Sequence, residues 1–307
     1  MEGDPLGHTP VLARQVCELF EVRPGETVLD CTVGLGGHAC LFAEALADTG
    51  TLIGIDVDPE SLDVARERLS QAGCRVELLQ ANFAEVREVL ESVDVSRVDV
   101  VFADLGVSSP QLDMPARGFS FQRDGPLDMR MDPRLTVTAA DLVNRLKERE
   151  LSDVLYYNAQ EMASRRISRQ ICQVRREGRI TTTARLAKVV ADALKVDPES
   201  RKSKIHPATR TFQALRMEVN SEIQRLEQLL AVAPDVLNPQ GRIGVIAFHS
   251  VEDKPVKMDF RRRKAEGVYS ILTKKPVVAD TDERRSNPRS RSAKLRVAVR
   301  MPEERPM

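Results

Sequence analysis

A chain of 307 residues has room for about two domains, and at 42% hydrophobic and 30% charged it can bury a core rather than stay disordered. Its longest apolar runs, such as residues 244–248, fall far short of the ~20 residues a membrane span needs. No basic start with an apolar stretch behind it opens the chain, so membrane, secreted and collagen-like classes are not expected. Net charge is zero, yet residues 1–104 carry seven Arg, no Lys and 20 carboxylates, a net of −13, while residues 254–300 carry 15 basic and five acidic side chains, a net of +10. Two solvated surfaces would explain that split. So would an acidic end that tolerates a cationic small molecule and a basic end that meets a polyanion.

In chain order, residues 27–31 (TVLDC) form a short apolar strand ending in Asp30, followed by a glycine turn and a helix over 38–47. Residues 51–56 (TLIGID) read as a second strand ending in acid, 59–71 as a helix, 75–79 as a third strand and 82–91 as a helix. Residues 98–104 (VDVVFAD) are a fourth strand, again closed by Asp. Strand and helix in alternation predict right-handed βαβ units and a parallel sheet. The rhythm then breaks. Residues 105–135, rich in Gly, Pro, Asp and Arg, read as a long structured loop. Helices follow at 139–146, 151–175 and 183–194, then a basic stretch at 201–206 and a helix at 208–233. After Pro239-Gln240-Gly241 comes a fifth strand, 242–248, then a helix, a basic segment and late strands at 270–278 and 294–300. The expected architecture is an α/β domain split after strand four by a mainly helical insertion: core 1–109, insertion 110–207, core again at 208–307. Five scattered cysteines with no CxxC read as reduced thiols, which suits a cytoplasmic protein and offers no metal site.

The turn Asp30-Cys31-Thr32-Val33-Gly34-Leu35-Gly36-Gly37-His38 lies between a strand and a helix, where glycines allow close approach of a ligand. Gly34-x-Gly36-x-x-Ala39 passes the loose dinucleotide fingerprint; the same residues read as the Asp-x-x-x-Gly-x-Gly of methyltransferases that use S-adenosyl-L-methionine (AdoMet). A pyrophosphate would be repelled by Asp30, whereas the sulfonium and ammonium of AdoMet suit the strand-end acids Asp30, Asp56 and Asp104. AdoMet is therefore the favoured ligand, with a dinucleotide oxidoreductase as the rival. After strand four, Ser108, Ser109 and Pro110 stand where amino-group methyltransferases carry a small polar residue and prolines, here without the second proline or the aromatic. They are the candidate catalytic residues, since acceptors there would orient an amine toward the methyl group. A plain turn would use the same residues.

Longer motifs narrow the reading. Residues 104–132 are DLGVSSPQLDMPARGFSFQRDGPLDMRMD, and 206–220 are HPATRTFQALRMEVN. With His8-Thr9-Pro10-Val11-Leu12, Phe248-His249-Ser250-Val251-Glu252-Asp253 and the run from Asn287 to Arg296, the sequence closely resembles the RsmH (MraW) family over nearly its whole length. The resemblance implies a class I, Rossmann-like AdoMet-dependent methyltransferase with an inserted helical domain for substrate recognition. Its implied target is N4 of a cytidine in the decoding centre of 16S ribosomal RNA. It also implies that Gly36, Gly37, His38, Asp56, Phe83, Asp104 and Gln111 bind the cofactor; His38, Phe83 and Gln111 come from the resemblance alone. The family usually carries other residues at Cys31, Val33, Ala159-Gln160 and Pro255, and Pro255 would be expected to disturb a helix.

The implied partner is 16S rRNA or the small ribosomal subunit, with no membrane and with a homodimer allowed. Arg117, Arg123, Arg210, Arg289, Arg291 and Lys294 are the candidate RNA contacts, together with Arg130, Arg201, Lys202, Lys204, Arg216 and residues 261–264. With no Trp, three Tyr and nine Phe, the chain is expected to grip phosphate and shape more than it stacks bases. A ribosome-assembly factor that binds RNA without methyl transfer is the second rival.

Overall fold

Aliphatic and β-branched runs separated by helical segments make a largely parallel sheet covered on both faces. The computed structural model describes residues 9–196 and 206–302, without the side chains of Ser109 and Pro110; Arg201, Lys202 and Lys204 lie outside the described residues. The first compact unit runs to Gly106 and resumes at Ile223. It begins α1 (Ala13–Phe20), β1 (Thr27–Asp30), α2 (Gly37–Leu46), β2 (Thr51–Asp56), α3 (Pro59–Arg68), β3 (Arg75–Gln80), α4 (Val86–Ser92) and β4 (Val98–Asp104). The second unit, Val107–Glu222, holds α5 (Ser109–Asp113), α6 (Ala139–Arg145), α7 (Glu148–Ala159), α8 (Ser164–Glu177), α9 (Thr183–Leu194) and α10 (Thr209–Val219). The first unit then finishes with α11 (Glu222–Val236), β5 (Leu237–Ala247), α12 (Ser250–Ala265), β6 (Tyr269–Ile271), α13 (Thr281–Ser286) and β7 (Lys294–Arg300).

The seven strands run in the order β3-β2-β1-β4-β5-β7-β6. The first five are parallel, and β7 lies antiparallel to both β5 and β6. This is the Rossmann-like arrangement of a class I methyltransferase, with β1 and β4 side by side where the chain reverses its direction of winding. Alternate residues point to opposite faces. Val28, Leu52, Val100 and Phe102 pack with Phe20, Phe42 and Leu62 on the α1–α3 side. Leu29, Ile53, Val101 and Val245 pack with Leu90, Leu229 and Phe260 on the α4, α11 and α12 side. Phe20, Phe42 and Phe102 meet edge to face at 5.3–6.0 Å between centroids. No helix among the described residues is long and apolar enough to cross a membrane.

The second unit has its own core, with Met129, Val143, Leu155, Ile171, Val190 and Phe212 buried together. Its irregular stretch after β4 is tightly tied. A Cβ on Gly118 would lie 2.2 Å from the Pro126 carbonyl, and one on Gly125 2.0 Å from that of Pro115. Asn220 clasps the stretch from the far end, donating to Met129 O and accepting from Met131 N, both at 2.8 Å.

Several expected boundaries shift. The insertion ends at Glu222, not 207, because α10 buries Phe212, Leu215 and Val219 in the second core. The helix expected over 208–233 is two helices, broken at Ser221, which takes φ 50°. Likewise 151–175 divides at Gln160, whose left-handed backbone (φ 51°) caps α7. Pro255 does not interrupt α12; it only forfeits the bond its missing N–H would have given one turn back. Strand β5 starts before Pro239, with a register irregularity between its pairings at Val98 and Val100. Strand β6 is only three residues long, with Val277 adding an isolated bridge to Leu295.

Gly244, in the middle of β5, has the Phe20 ring where a side chain would go: a Cβ there would lie 2.2 Å from Cζ. Gly244→Ala should therefore overpack this layer and lower stability by about 1–3 kcal/mol, read as a lower urea midpoint at unchanged slope. An unaltered midpoint would show that the ring moves aside freely.

Candidate active site

In an open α/β sheet, ligands gather outside the carboxyl ends of the strands where the winding reverses. Here that edge carries Asp30, Asp56 and Asp104, the last residues of β1, β2 and β4. Asp30 is 1% exposed, accepts the Thr32 amide at 3.1 Å through Oδ1, and has no partner for Oδ2 among the described residues. Asp56 accepts the Gly34 amide at 2.9 Å and the Asp58 amide at 2.9 Å. The acid of the second strand and the glycine turn are thus one device. Asp104 is fixed through its backbone, its amide donating to the Thr32 hydroxyl at 2.6 Å, while its Oδ1 is buried and unbonded among the described residues.

The turn itself needs its glycines. Gly34 and Gly36 take φ of 50° and 85°, a backbone conformation that side-chain-bearing residues rarely adopt. Gly37 then starts α2, whose first-turn amides lack acceptors within the helix and have no side-chain cap from Gly36, which suits an anionic group. His38 is the second residue of α2. Its Nε2 lies 2.8 Å from the Val11 carbonyl, which can only accept, so Nε2 carries the proton. Its Nδ1 lies 3.6 Å from Asp104 Oδ2, and its ring rests on Phe102 at 4.8 Å.

Electrostatics at this edge are one-sided. No Lys or Arg among the described residues pairs with the three acids. Burial pushes the Asp30 carboxyl up to about 7, with the charge of Asp56 adding to the effect. Burial likewise takes Asp56 to about 6. Asp104 is raised well above the ordinary range by burial first, then by Asp30 and Glu252. Unbonded buried carboxylate oxygens with no cation fit a positively charged ligand, and the sulfonium and ammonium of AdoMet meet that requirement. Asp30 and Asp104 would face the cationic groups, Asp56 would accept from ribose hydroxyls, and the first turn of α2 would meet the cofactor carboxylate.

The remaining expected residues fall as follows. Phe83 is half-buried at the carboxyl end of β3, opening a short 3-10 turn that Asn82 and Glu85 cap reciprocally. Gln111 lies buried in the second unit, where its Oε1 accepts the Ser108 amide at 3.1 Å. Ser108 keeps its hydroxyl shielded and without a partner among the described residues. The side chains of Ser109 and Pro110 lie outside the described set, though both belong to α5. Arg123 and Arg210 are exposed. Arg117 is committed to structure, donating to the carbonyls of Arg130 and Met131, and Arg130 pairs with Asp128 through two 2.7 Å bonds.

Three contributors escaped the sequence reading. Thr32 joins the exits of β1 and β4. His249 and Glu252 form a capping box at the start of α12, and the almost fully buried Glu252 also accepts the Phe248 amide at 2.8 Å. The His-x-x-Glu spacing ahead of a helix was the available signal.

Comparison with known proteins places this geometry. The profile of the MraW methylase family matches residues 5–301. Ribosomal RNA small subunit methyltransferase H of Koribacter versatilis is 46% identical over 304 residues, spanning 97% of this chain and 95% of its own. The protein of the same name from Cyanothece sp. is 48% identical, spanning 96% of this chain and 95% of its own. That from Acidobacterium capsulatum is 45% identical, spanning 95% and 97%.

The raised carboxyls give a pH signature. Relative to an unfolded chain with carboxyls near 3.8, they support the ligand-free fold fully below that value, and the contribution fades as pH rises through about 6 and 7. Cofactor binding has the opposite sign, because the carboxylates must ionise to meet a cation, while an α-amino group stays protonated below about 7.7. AdoMet affinity should therefore rise between about pH 5.5 and 7, with proton release seen by calorimetry in buffers of different ionisation enthalpy. Asp30→Asn should flatten that dependence. A wild-type affinity that ignores pH over this range would remove Asp30 and Asp56 from the cofactor site.

Proposed function

The chain belongs to the MraW methylase family, and on that premise we propose that it methylates N4 of a cytidine in the decoding centre of 16S ribosomal RNA, cytidine 1402 in the family. It is an AdoMet-dependent methyltransferase, and small-subunit ribosomal RNA is its substrate. What supports the finer assignment is the likeness, over nearly the whole chain, to relatives named ribosomal RNA small subunit methyltransferase H, together with the Ser108 hydroxyl, buried and without a partner among the described residues just after β4.

An exocyclic amine is a weak nucleophile because its lone pair is delocalised into the ring. Acceptors at its N–H groups localise that pair and aim it. AdoMet supplies an electrophilic methyl on a sulfonium. The protein's part is to hold the amine in line with that methyl and to accept hydrogen bonds from its N–H groups while the C–N bond forms and the methyl–sulfur bond breaks, its electron pair leaving with sulfur as a neutral thioether. The proton lost afterwards passes to water or to a nearby acceptor. Nothing in this sequence of events calls for a covalent enzyme adduct. The base must arrive unstacked, since no acceptor can reach the amine of a paired cytidine at the required angle.

Delivery falls to the basic surface. Arg289 and Arg291 are exposed on a 3-10 turn, Pro288–Ser292, with Lys294 half-buried just beyond. Ser290 between them is fully buried and donates to Asn287 O at 2.8 Å, which turns its two neighbours outward. Arg284 and Arg285 extend the charge along the end of α13.

Mass mapping of small-subunit RNA, from cells with and without the protein, should show one N4-methylated cytidine that depends on it. A methyl group at another atom or subunit would overturn the assignment. In single turnover at saturating AdoMet, Ser108→Ala and Ser109→Ala should each slow transfer, at least one by about 10- to 100-fold, with AdoMet affinity nearly constant. Wild-type rates for both would make the segment a turn and nothing more.

Replacing Arg289, Arg291 and Lys294 together by Ala should weaken RNA binding and reduce the slope of log affinity against log salt by about 2–3. AdoMet affinity should hold. An unchanged slope would take this surface off the phosphate backbone.

A further inference from the structure

The basic stretch late in the chain does not face outward throughout. From residue 281 to residue 289 every residue is exposed except Glu283 and Asn287, four apart on α13 and its C-terminal cap. Both reach back to the segment ahead of α1. Glu283 Oε1 accepts the Leu12 amide at 2.7 Å, and Asn287 Nδ2 donates to the Thr9 carbonyl at 3.0 Å. Arg14 adds an exposed pair with Asp280 at 3.1 Å, which water screens.

The segment they hold, residues 9–12, is strained and stands against the glycine turn. Leu12 is fully buried and takes φ 55°, a left-handed backbone that costs a leucine energy and persists only where its surroundings enforce it. It precedes α1 with no side-chain cap, and Glu283 supplies the acceptor for its amide. The segment also rests on the start of α2. Val11 O accepts from His38 Nε2 at 2.8 Å. Pro10 packs on Gly37 so closely that a Cβ there would lie 3.0 Å from Pro10 Cγ. Thr9 and Leu12 are thus tied to the basic stretch, while Pro10 and Val11 between them back the glycine turn.

We propose that Glu283 and Asn287 are positioning residues for the AdoMet site, acting through residues 9–12, which brace Gly37 and His38. The Val11 carbonyl fixes the His38 ring, whose Nδ1 faces Asp104 Oδ2 at 3.6 Å. With Thr9 and Leu12 released, that carbonyl and Pro10 would gain freedom, and AdoMet would have to order them on binding. Two residues of a stretch that its charge offers to RNA therefore serve the cofactor instead. What counts at each is a hydrogen-bonding group and not a charge: an N–H donor at 287 and an acceptor oxygen at 283. The inference rests on the placement of AdoMet at the turn between β1 and α2.

The test measures AdoMet affinity of the full chain by calorimetry, alongside its affinity for small-subunit ribosomal RNA, at a temperature well below every melting point. Asn287→Ala, Glu283→Ala and the isosteric Asn287→Asp, which cannot donate, should each weaken AdoMet binding about 5- to 10-fold, as losing one hydrogen bond would. Glu283→Gln keeps the acceptor and should bind AdoMet as the wild type does. RNA affinity should hold in Asn287→Ala. AdoMet affinity within about twofold of the wild type in both Ala variants would overturn the proposal. So would Glu283→Gln losing as much AdoMet affinity as Glu283→Ala, since charge and not the acceptor would then be at work. Should Glu283→Ala fail to fold, Asn287→Asp decides alone, because its bond to Thr9 lies at the surface. His38→Ala tests the reading beneath. Unchanged AdoMet affinity there would remove the turn from the cofactor site and the brace with it. Weakened affinity there, with wild-type binding in the 283 and 287 variants, sinks the brace alone.

Discussion

Three carboxylates taken out of water with no Lys or Arg among the described residues to meet them are the constraint around which the first unit is built. Asp30, Asp56 and Asp104 repel one another in a poorly solvated edge, and their raised proton affinities measure that discomfort. A flexible loop would relieve it by swinging the acids into solvent. Strand ends in the interior of a seven-stranded sheet cannot swing. The backbone amides of Thr32, Gly34 and Asp58, and the Thr32 hydroxyl on the Asp104 amide, hold what the strands deliver. The result is a field fixed before the ligand arrives, which is the condition for strong electrostatic stabilisation without reorganisation.

The same constraint explains how labour is divided along the chain. Acidic charge concentrates in the first 104 residues, which include the three strand-end acids, and the surplus of Lys and Arg comes late, in a stretch that includes the exposed turn around Ser290. The insertion leaves at the carboxyl end of β4, the edge where open α/β sheets place their functional loops. Because it brings its own core of aliphatic residues and Phe212, it can vary its surface without loosening the strands that position the acids.

Those acids were legible in the sequence because two signals coincided: a short, nearly continuous apolar run that marks a buried parallel strand, and an Asp at its end, three times over. The turn was legible for the same reason, since glycines at φ 50° and 85° have few substitutes. Other features had no such signature. Gln160 and Ser221 adopt left-handed backbones that glycine normally announces, so two helices read as continuous when they are broken. Pro255 announced a break that the remaining bonds of α12 overrode. Helix α1, eight residues long, gave too little sequence to register as a period, although Val16 and Phe20 are fully buried. The sequence offers Arg117 by its charge, but nothing in it signals that the same side chain also ties the loop together through hydrogen bonds to two carbonyls.

Packing and chemistry meet through a continuous line of contacts beneath the edge. Gly244 leaves room for Phe20, whose ring stands edge to face against Phe102 at 5.7 Å. Phe102 supports the His38 ring at 4.8 Å. His38 is anchored at its far nitrogen by the Val11 carbonyl and turns Nδ1 toward Asp104. With Nε2 held by the Val11 carbonyl, Nδ1 faces the Asp104 carboxyl at 3.6 Å, an arrangement that favours a proton between them or a cation beside them. Close-packed rings have few alternative positions, so the line transmits strain instead of absorbing it. The placement of Asp104 therefore depends on residues of β5 and α1 that touch no ligand. An apolar core of this shape does more than stabilise the fold: through Phe102 and His38 it braces the ring that faces Asp104 Oδ2.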